Sequence, residues 1–168
     1  FGAKQGREQG YVHRQLWLPE LEWSVDDAQH SAAEATRRYL SVFGPSTIQD
    51  IAHHVGSRIS DCKQWMPLLA DELIDITCTD RPDKTGLLAM AQDAEDLQSA
   101  PTDYAPRLLP AYDTMLMSHK DKRWILPDAD EEPLIWKKAA VVRAVVIHQG
   151  QIVATWQQHK TTKKLTVT

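Results

Sequence analysis

The apolar spacing of residues 48–55 constrains the fold more than any other feature of the sequence. Four apolar residues recur there at the i, i+3, i+4 and i+7 positions that place one stripe on a helix: Ile48, Ile51, Ala52 and Val55. At the start of this stripe, Ser46 and Gln49 have the spacing of a capping box, and Gly44-Pro45 before them is a typical end for a preceding helix. The sequence therefore predicts a short helix capped by Ser46.

Two further helices are predicted on either side of it. The first covers residues 32–43 and directs an apolar face toward the core and two arginines toward solvent. The face carries Ala35, Tyr39 and Val42, and the arginines are Arg37 and Arg38. The other helix follows Gly56, with Ser60 as a candidate N-cap and Pro67 expected to kink or end it.

A predicted hairpin follows the three helices. Residues 73–79 and 87–92 are β-leaning runs, and residues 81–86 between them are rich in turn formers. Three short helices followed by a hairpin are typical of a winged helix-turn-helix, in which the hairpin is the wing. We therefore predict a connector over residues 1–30 and a winged-helix domain over residues 31–100.

The hydrophobic pattern changes to that of strands within residues 101–168. Residues 140–147 are rich in valine, Gln149-Gly150 is a two-residue turn signal, and residues 152–156 continue as the partner strand. Residues 164–167 can add one more strand. The predicted fold class is therefore α+β, a winged helix-turn-helix followed by a small antiparallel β-sheet or partly closed barrel.

Charge is unevenly distributed along the chain. The formal net charge is −4, but residues 134–168 carry six cations and no acid, which leaves −10 on residues 1–133. A basic surface of this kind attracts polyanions such as nucleic acids. Lysines at a sheet edge also prevent edge-to-edge pairing, so a role in solubility remains an alternative.

The candidate DNA contacts lie in the third helix, the wing and the basic C-terminal segment. They are Arg58, Lys63, Gln64, Lys84, Lys137, Lys138, Arg143, Lys160, Lys163 and Lys164. The third helix is a poor reader of bases, because Asp61 lies among its polar residues and Pro67 interrupts it. We therefore expect the C-terminal cations to contribute more, through salt-sensitive contacts with phosphates.

Asp113, His119 and Asp121 are the residues most easily taken for a catalytic or metal site. Their spacing matches no metal-binding motif, so we predict that Asp113 forms a turn or an N-cap and that residues 119–123 form a charged loop. The two cysteines do not form a CxxC motif. The sequence therefore predicts no catalytic residue, no metal site and no cofactor.

The sequence also bears on the compartment. No apolar run approaches the roughly 20 residues that a membrane-spanning helix needs, and the first residues lack the pattern of a secretory signal. These features predict a cytoplasmic protein that does not use a membrane. Because the chain begins with Phe1, we expect a fragment or a processed product, of unknown oligomeric state.

Three motifs, in order along the chain, resemble signatures of the AlkZ/YcaQ-like winged-helix proteins. They are Arg37-Arg38-Tyr39-Leu40 with Phe43-Gly44-Pro45-Ser46-Thr47, then Leu108-Leu109-Pro110-Ala111-Tyr112-Asp113, then Ile147-His148-Gln149-Gly150-Gln151-Ile152-Val153-Ala154-Thr155-Trp156. The resemblance extends from about Ala32 onward and is closer to the AlkZ-like branch. It implies tandem winged helices and a β-barrel around a concave DNA-binding face, in proteins related to glycosylases for bulky alkylated bases or interstrand crosslinks.

The resemblance also implies a catalytic motif that this chain does not show. Glycosylases of the family carry a Gln-hydrophobic-Gln or Gln-hydrophobic-Asp motif upstream of the matched segment, whereas Gln149-Gly150-Gln151 has a central glycine and lies at a turn. We therefore expect the C-terminal portion of a DNA repair protein, non-catalytic by itself, that binds double-stranded DNA carrying alkylated or crosslinked bases. A winged-helix module for transcription regulation or protein interaction is the alternative, which the overall acidity favours.

Overall fold

The structure is a computed structural model that describes residue 6 and residues 10–22, 27–79, 81–99, 103–160 and 165–168. Its helices are α1 (Arg14–Trp17), α2 (Ala28–Phe43), α3 (Ile48–Val55), α4 (Ile59–Trp65), α5 (Ala94–Gln98), α6 (Thr114–Ser118) and α7 (Glu132–Ile135). Its strands are β1 (Leu73–Ile76), β2 (Leu87–Met90), β3 (Arg107–Leu109), β4 (Trp136–Lys137), β5 (Val141–Val142), β6 (Val145–His148), β7 (Gln151–Thr155), β8 (Gln158–Lys160) and β9 (Leu165–Val167). Within these ranges no helix is both long enough and apolar enough to cross a membrane.

The strands form small antiparallel sheets. β1 pairs with β2, β4 with β5, and β8 with β9, while β3, β6 and β7 form a three-stranded sheet with β6 at its centre. Over the described part of the chain these sheets do not close into a barrel. Of the two predicted forms for the C-terminal part, the structure therefore has small antiparallel sheets.

A first hydrophobic core lies among α2, α3, α4 and the β1–β2 sheet. Ile51 and Ala52 are buried in it, and Ile48 and Val55 pack against it, which confirms the predicted apolar stripe of α3. The predicted hairpin is also confirmed, because β1 and β2 pair in register from Leu73 opposite Met90 to Ile76 opposite Leu87.

Pro67 ends the third helix as predicted. α4 stops at Trp65, and the chain continues as a 3₁₀ helix from Met66 to Glu72 with the proline in its first turn. A proline is tolerated there because the first residues of a helix have no intrahelical acceptor for their amides.

The two predicted N-caps are wrong. α3 is capped by Thr47, whose hydroxyl accepts from the Asp50 amide while the Asp50 carboxylate accepts from the Thr47 amide. Ser46 is instead fully buried, and its backbone N–H and carbonyl pair with Leu88 at 2.9 Å each. For α4, the N-cap residue is Arg58 without a side-chain bond, and the Ser60 hydroxyl donates to Asp61. Pairing of Ser46 with β2 leaves the cap to the next residue along.

The buried face of α2 also differs from the prediction. Val42 is 70% exposed and Ala35 is exposed, whereas the buried positions are Ala33, Thr36, Tyr39 and Leu40. Thr36 can occupy the core because its hydroxyl donates to the Ala32 carbonyl and accepts from the Trp65 indole, each at 2.9 Å. The free energy cost of burying a hydroxyl is small when the group both donates and accepts a hydrogen bond. The spacing of apolar residues in the sequence does not show that such a polar residue is buried.

The two arginines of α2 are paired rather than free in solvent. Arg37 donates from Nε and Nη2 to the two carboxylate oxygens of Glu72, at 2.6 and 2.7 Å. Arg38 donates from Nε to Glu34 at 2.7 Å. The two-point contact with Glu72 fastens α2 to the end of the 3₁₀ helix.

A second hydrophobic core lies in the C-terminal part of the chain. Its buried residues are Leu116, Leu126, Ile135, Val142, Val145 and Ile147. β6 and β7 are joined at Gln149-Gly150, which have φ of 50° and 77° and so form the predicted two-residue turn. Val142 of β5 is one of these buried residues, so the core also holds the β4–β5 hairpin that carries Lys137 and Lys138.

Candidate nucleic-acid interface

The exposed face of α4 carries three of the candidate DNA contacts. Arg58, Lys63 and Gln64 are exposed, and their side chains make no hydrogen bond or ion pair within the described residues. Cys62 and Trp65 occupy the opposite, buried face. With Asp61 in its first turn, this helix offers two cations beside one acid, which is a weak electrostatic surface for DNA.

Lys84 lies in the loop between β1 and β2, but its charge is compensated. Its side chain is only 9% exposed, and its ammonium forms an ion pair with the carboxylate of Asp121. Asp121 also accepts from Arg123 Nη2 at 2.7 Å. Lys84 therefore joins this loop to the segment that follows α6, rather than standing free at the surface.

Aromatic contacts strengthen the same junction. The guanidinium carbon of Arg81 lies 5.5 Å from the ring centroid of Trp124, and the ammonium of Lys84 lies 5.8 Å from it. Arg81 Nη1 also donates to the carbonyl of Arg123 at 2.8 Å. Cations at these distances from an indole face are attracted by its quadrupole, so they add to the ion pair.

Asp50 is a buried carboxylate that serves both cores. It is 2% exposed. Oδ2 accepts from the amide of Thr47 at 3.1 Å and from its hydroxyl at 2.6 Å. Oδ1 accepts from the amide of Lys120 at 2.9 Å. One side chain therefore completes the capping box of α3 and holds the loop after α6.

His119 lies in the same junction, between Ser46 and Ser118. Its Nε2 is 3.1 Å from Ser46 Oγ, and its Nδ1 is 2.9 Å from Ser118 Oγ. Burial lowers the pKa of His119 and raises the pKa of nearby Tyr39 to about 12. Tyr39 donates to the Ser118 carbonyl at 3.2 Å. Both groups are therefore neutral near pH 7 and occupied by structural hydrogen bonds.

Asp113, His119 and Asp121 each have a structural role, and they do not form one site. Asp113 caps α6 by accepting from the Met115 amide at 2.9 Å, as predicted. His119 is half-buried and Asp121 pairs with Lys84 and Arg123, so the predicted charged loop is a contact between the two cores. Among the residues that the structure describes, no group of three His, Cys, Asp or Glu side chains is placed to hold a metal ion.

Three cations of the C-terminal part differ from Lys84 in having no ion pair with a described residue. Lys137 and Lys138 are exposed at the β4–β5 hairpin, and Arg143 is exposed just after β5. None of the three side chains pairs with a carboxylate in the described ranges. Lys163 and Lys164 lie outside the described residues, and only the backbone of Lys160 is described, in β8.

Beside Arg143 lies an open pocket of about 640 Å³. Its walls come from the turn after β3, from β5 and the two residues after it, and from the chain between β7 and β8. The lining residues are Pro110, Ala111, Tyr112, Val141, Val142, Arg143, Ala144, Thr155, Trp156, Gln157, Gln158 and Thr168. They comprise aromatic, apolar, hydroxyl and amide side chains with one cation and no acidic side chain.

Sequence reasoning did not identify this pocket. Tyr112 and Trp156 belong to two separate sequence motifs and are 44 positions apart, and neither was predicted to contact DNA. Tyr112 is 52% exposed with φ of 62°, which is unusual for a residue other than glycine. A tyrosine within Pro-Ala-Tyr-Asp is a turn signal, but its left-handed backbone is visible only in the structure.

Comparison with known proteins gives the family. The model of the family described as "DNA glycosylase AlkZ-like" matches residues 2–168, so the chain belongs to the AlkZ-like family. Among solved structures, Streptomyces sahachiroi DNA glycosylase AlkZ matches with a TM-score of 0.71 and 19% identity, over 86% of this chain and 38% of that chain. At this identity the likeness shows the fold alone. No curated protein matches.

Proposed function

We propose that this member of the AlkZ-like DNA glycosylase family is the DNA-binding portion of a repair protein and contacts the phosphate backbone through its C-terminal cations. The observation that carries the proposal is the difference between Lys84, whose ammonium is paired with Asp121, and Arg143, which is exposed beside a pocket without an acidic side chain. A free cation can exchange its counterions for phosphates, whereas a paired one must first lose its carboxylate.

The first core supplies a scaffold in this proposal. Helices α2 to α4 followed by the β1–β2 hairpin have the order of a winged helix-turn-helix, and we propose this arrangement for residues 31–100. α4 is the recognition helix by position, but it spans seven residues and carries Asp61. We therefore assign it a minor share of the affinity, with residues 101–168 as the main contact unit.

We further propose that this chain does not excise bases by itself. A glycosylase must hold a polar group that positions water beside the developing positive charge of the sugar. Asp50, which is buried, and His119, which is half-buried, are both engaged in hydrogen bonds at the junction. Lesion-containing duplex DNA, alkylated or crosslinked, is the proposed partner of the whole protein.

Fluorescence anisotropy with labelled duplex DNA at several salt concentrations tests the proposal. The variant Lys137→Gln/Lys138→Gln/Arg143→Gln should bind more weakly, and its slope of log affinity against log salt should fall by up to roughly 0.9 for each lost phosphate contact. The matched control Arg58→Gln/Lys63→Gln removes two exposed cations of α4 and should change the slope less.

Three results would each contradict a part of the proposed function. If the α4 variant loses binding and the C-terminal variant retains it, the recognition helix is the main contact. If the unaltered chain does not bind duplex at low salt, the alternative of a protein-interaction module is favoured. Release of an alkylpurine by the purified chain, with contaminating activity excluded, would contradict the non-catalytic assignment.

A further inference from the structure

We infer that the pocket beside Arg143 binds an unpaired nucleotide, with its base against Tyr112 and its phosphate at the guanidinium. This inference rests on the proposed DNA-binding function, and it adds the form of DNA that the chain prefers. Its consequence is tighter binding to single-stranded or gapped DNA than to intact duplex.

The size and lining of the pocket fit one nucleotide. A volume of about 640 Å³ lies within the usual range for sites that hold small molecules. Tyr112 offers a half-exposed ring, and the side-chain amides of Gln157 and Gln158 can donate to and accept from base edges. Aromatic rings that stack on bases, together with polar groups for their edges, are how proteins hold unstacked nucleotides.

The wall behind these groups is held in place. The indole N–H of Trp156 donates to the Leu109 carbonyl at 2.9 Å, and its backbone N–H donates to the Ala144 carbonyl at 3.1 Å. The backbone of Gln157 exchanges two hydrogen bonds with Thr168, at 2.8 and 3.1 Å. Because the backbone of this wall is already fixed, little conformational entropy is lost when a ligand binds.

Backbone conformation is also unusual around this pocket. Four residues other than glycine have positive φ in the described ranges. Tyr112 is one of them and lines the pocket, and Ala139 and Ala140, at 64° and 57°, lead directly into its wall at Val141. All three lie in turns: Ala139 and Ala140 in the β4–β5 hairpin, and Tyr112 in the turn closed by the Asp113 amide and the Pro110 carbonyl. These turns fix the backbone at this edge of the pocket.

The charge of the pocket selects an anionic ligand with an apolar part. The guanidinium of Arg143 has no carboxylate partner among the described residues, and no acidic residue lines the pocket. A guanidinium matches the geometry of a phosphate. A base in an intact duplex is stacked and paired, so it cannot reach Tyr112, whereas an unpaired base can.

The test compares three labelled DNAs with the 168-residue chain by fluorescence anisotropy at one low salt concentration. They are an oligothymidylate, a matched oligomer of abasic sites, and a duplex of the same length. The oligothymidylate should bind most tightly. Tyr112→Gly removes the ring, suits the positive φ, and should weaken oligothymidylate binding roughly 5- to 150-fold, the range expected for one stacked base.

Controls separate this inference from the proposed function. Tyr112→Gly should not alter binding of the abasic oligomer, while Arg143→Gln should weaken binding of all three DNAs. Tyr104→Ala removes a similarly exposed ring that does not line the pocket, and it should have no effect. Circular dichroism should show that each variant is folded.

The outcomes are distinguishable. If Tyr112→Gly binds oligothymidylate as tightly as the unaltered chain, or if the abasic oligomer binds equally well, the nucleotide pocket is wrong while phosphate binding stands. If none of the three DNAs binds, both the inference and the proposed function fail.

Discussion

Two charged regions of this protein use the same residue types in opposite ways. At the junction of the two cores, the charges of Lys84, Asp121 and Arg123 compensate one another, and Asp50 is satisfied by backbone amides. On the C-terminal surface, Lys137, Lys138 and Arg143 have no acidic partner within the described residues. The sequence alone does not distinguish the paired charges from the unpaired ones.

The contrast shows that the partner of a charge decides its role. A charge removed from water must be paired, because an unpaired charge has a large desolvation penalty. Removing one partner at the junction leaves the other unpaired, so substitutions there should lower the stability of the fold. An exposed cation contributes little to stability but much to the local potential, so surface residues should affect ligand binding. Four variants test this division, from the largest expected effect to the smallest.

Replacing Asp50 should have the largest effect. Asp50→Ala removes the carboxylate that accepts from the Thr47 amide in the capping box of α3, and it leaves the Lys120 amide without its acceptor. The free energy of unfolding should therefore fall by roughly 2–4 kcal/mol. Urea denaturation followed by circular dichroism measures it. Asp61→Ala is the control, because Asp61 lies in the first turn of α4 and its carboxylate accepts, among the described residues, only from the Ser60 hydroxyl. A loss for Asp50→Ala below about 1 kcal/mol would contradict the role of the junction.

Lys84 should stabilise the protein without contributing to DNA affinity. Lys84→Gln removes one partner of Asp121, but Arg123 remains, so we expect a loss of about 1–2 kcal/mol in urea denaturation. Anisotropy with duplex DNA should be unchanged after correction for folded protein. The matched control is Lys63→Gln, an exposed lysine of α4 that should alter stability by less than about 0.5 kcal/mol. If the folded Lys84→Gln variant bound DNA more weakly, the separation between stabilising charges and DNA-binding charges would be wrong.

The pH dependence of stability should report on His119. Burial, opposed by the charge of Asp50 and reinforced by that of Lys122, lowers the pKa of His119 in the folded protein. The unfolded chain therefore takes up a proton first as the pH falls below the ordinary histidine pKa of about 6.5, and unfolding becomes easier.

The contribution of His119 is fully present above that pH, and it is lost progressively as the pH falls toward the lower pKa of the folded state. The slope is at most about 1.4 kcal/mol per pH unit. Because burial also lowers the pKa of His54, the measurement is the difference between the unaltered chain and His119→Gln in urea denaturation from pH 7.5 to 5. Parallel profiles for the two proteins would show that His119 does not titrate differently on folding.

The free cations should have the smallest effect on stability. Lys137→Gln/Lys138→Gln/Arg143→Gln removes exposed groups without partners in the described ranges, so each change should alter the free energy of unfolding by less than about 0.5 kcal/mol. Thermal unfolding of this variant, the same one used for salt-dependent DNA binding, checks the expectation. A large decrease in the midpoint temperature of unfolding would show that these cations stabilise the fold, as the charges of the junction do.

Local patterns predicted the elements better than the contacts between them. The stripe of α3, the break at Pro67 and the Gln149-Gly150 turn depend on residues close in sequence, and all three are confirmed. The cap at Ser46 failed because Leu88, 42 positions later, pairs with its backbone. The predicted face of α2 failed because Thr36 enters the core through a bond with Trp65.

For the candidate interface, the sequence by itself determined the stock of charges and the family motifs. Six cations without an acid over residues 134–168, and three ordered motifs, follow from the order of residues alone. Only the tertiary structure decided which charges are compensated and which side chains share a pocket. It brings Lys84 to Asp121, 37 positions away, and Tyr112 to the pocket that Arg143 also lines. The physical reason is that electrostatic and stacking energies depend on distance and burial, and the order of residues sets neither across a long loop.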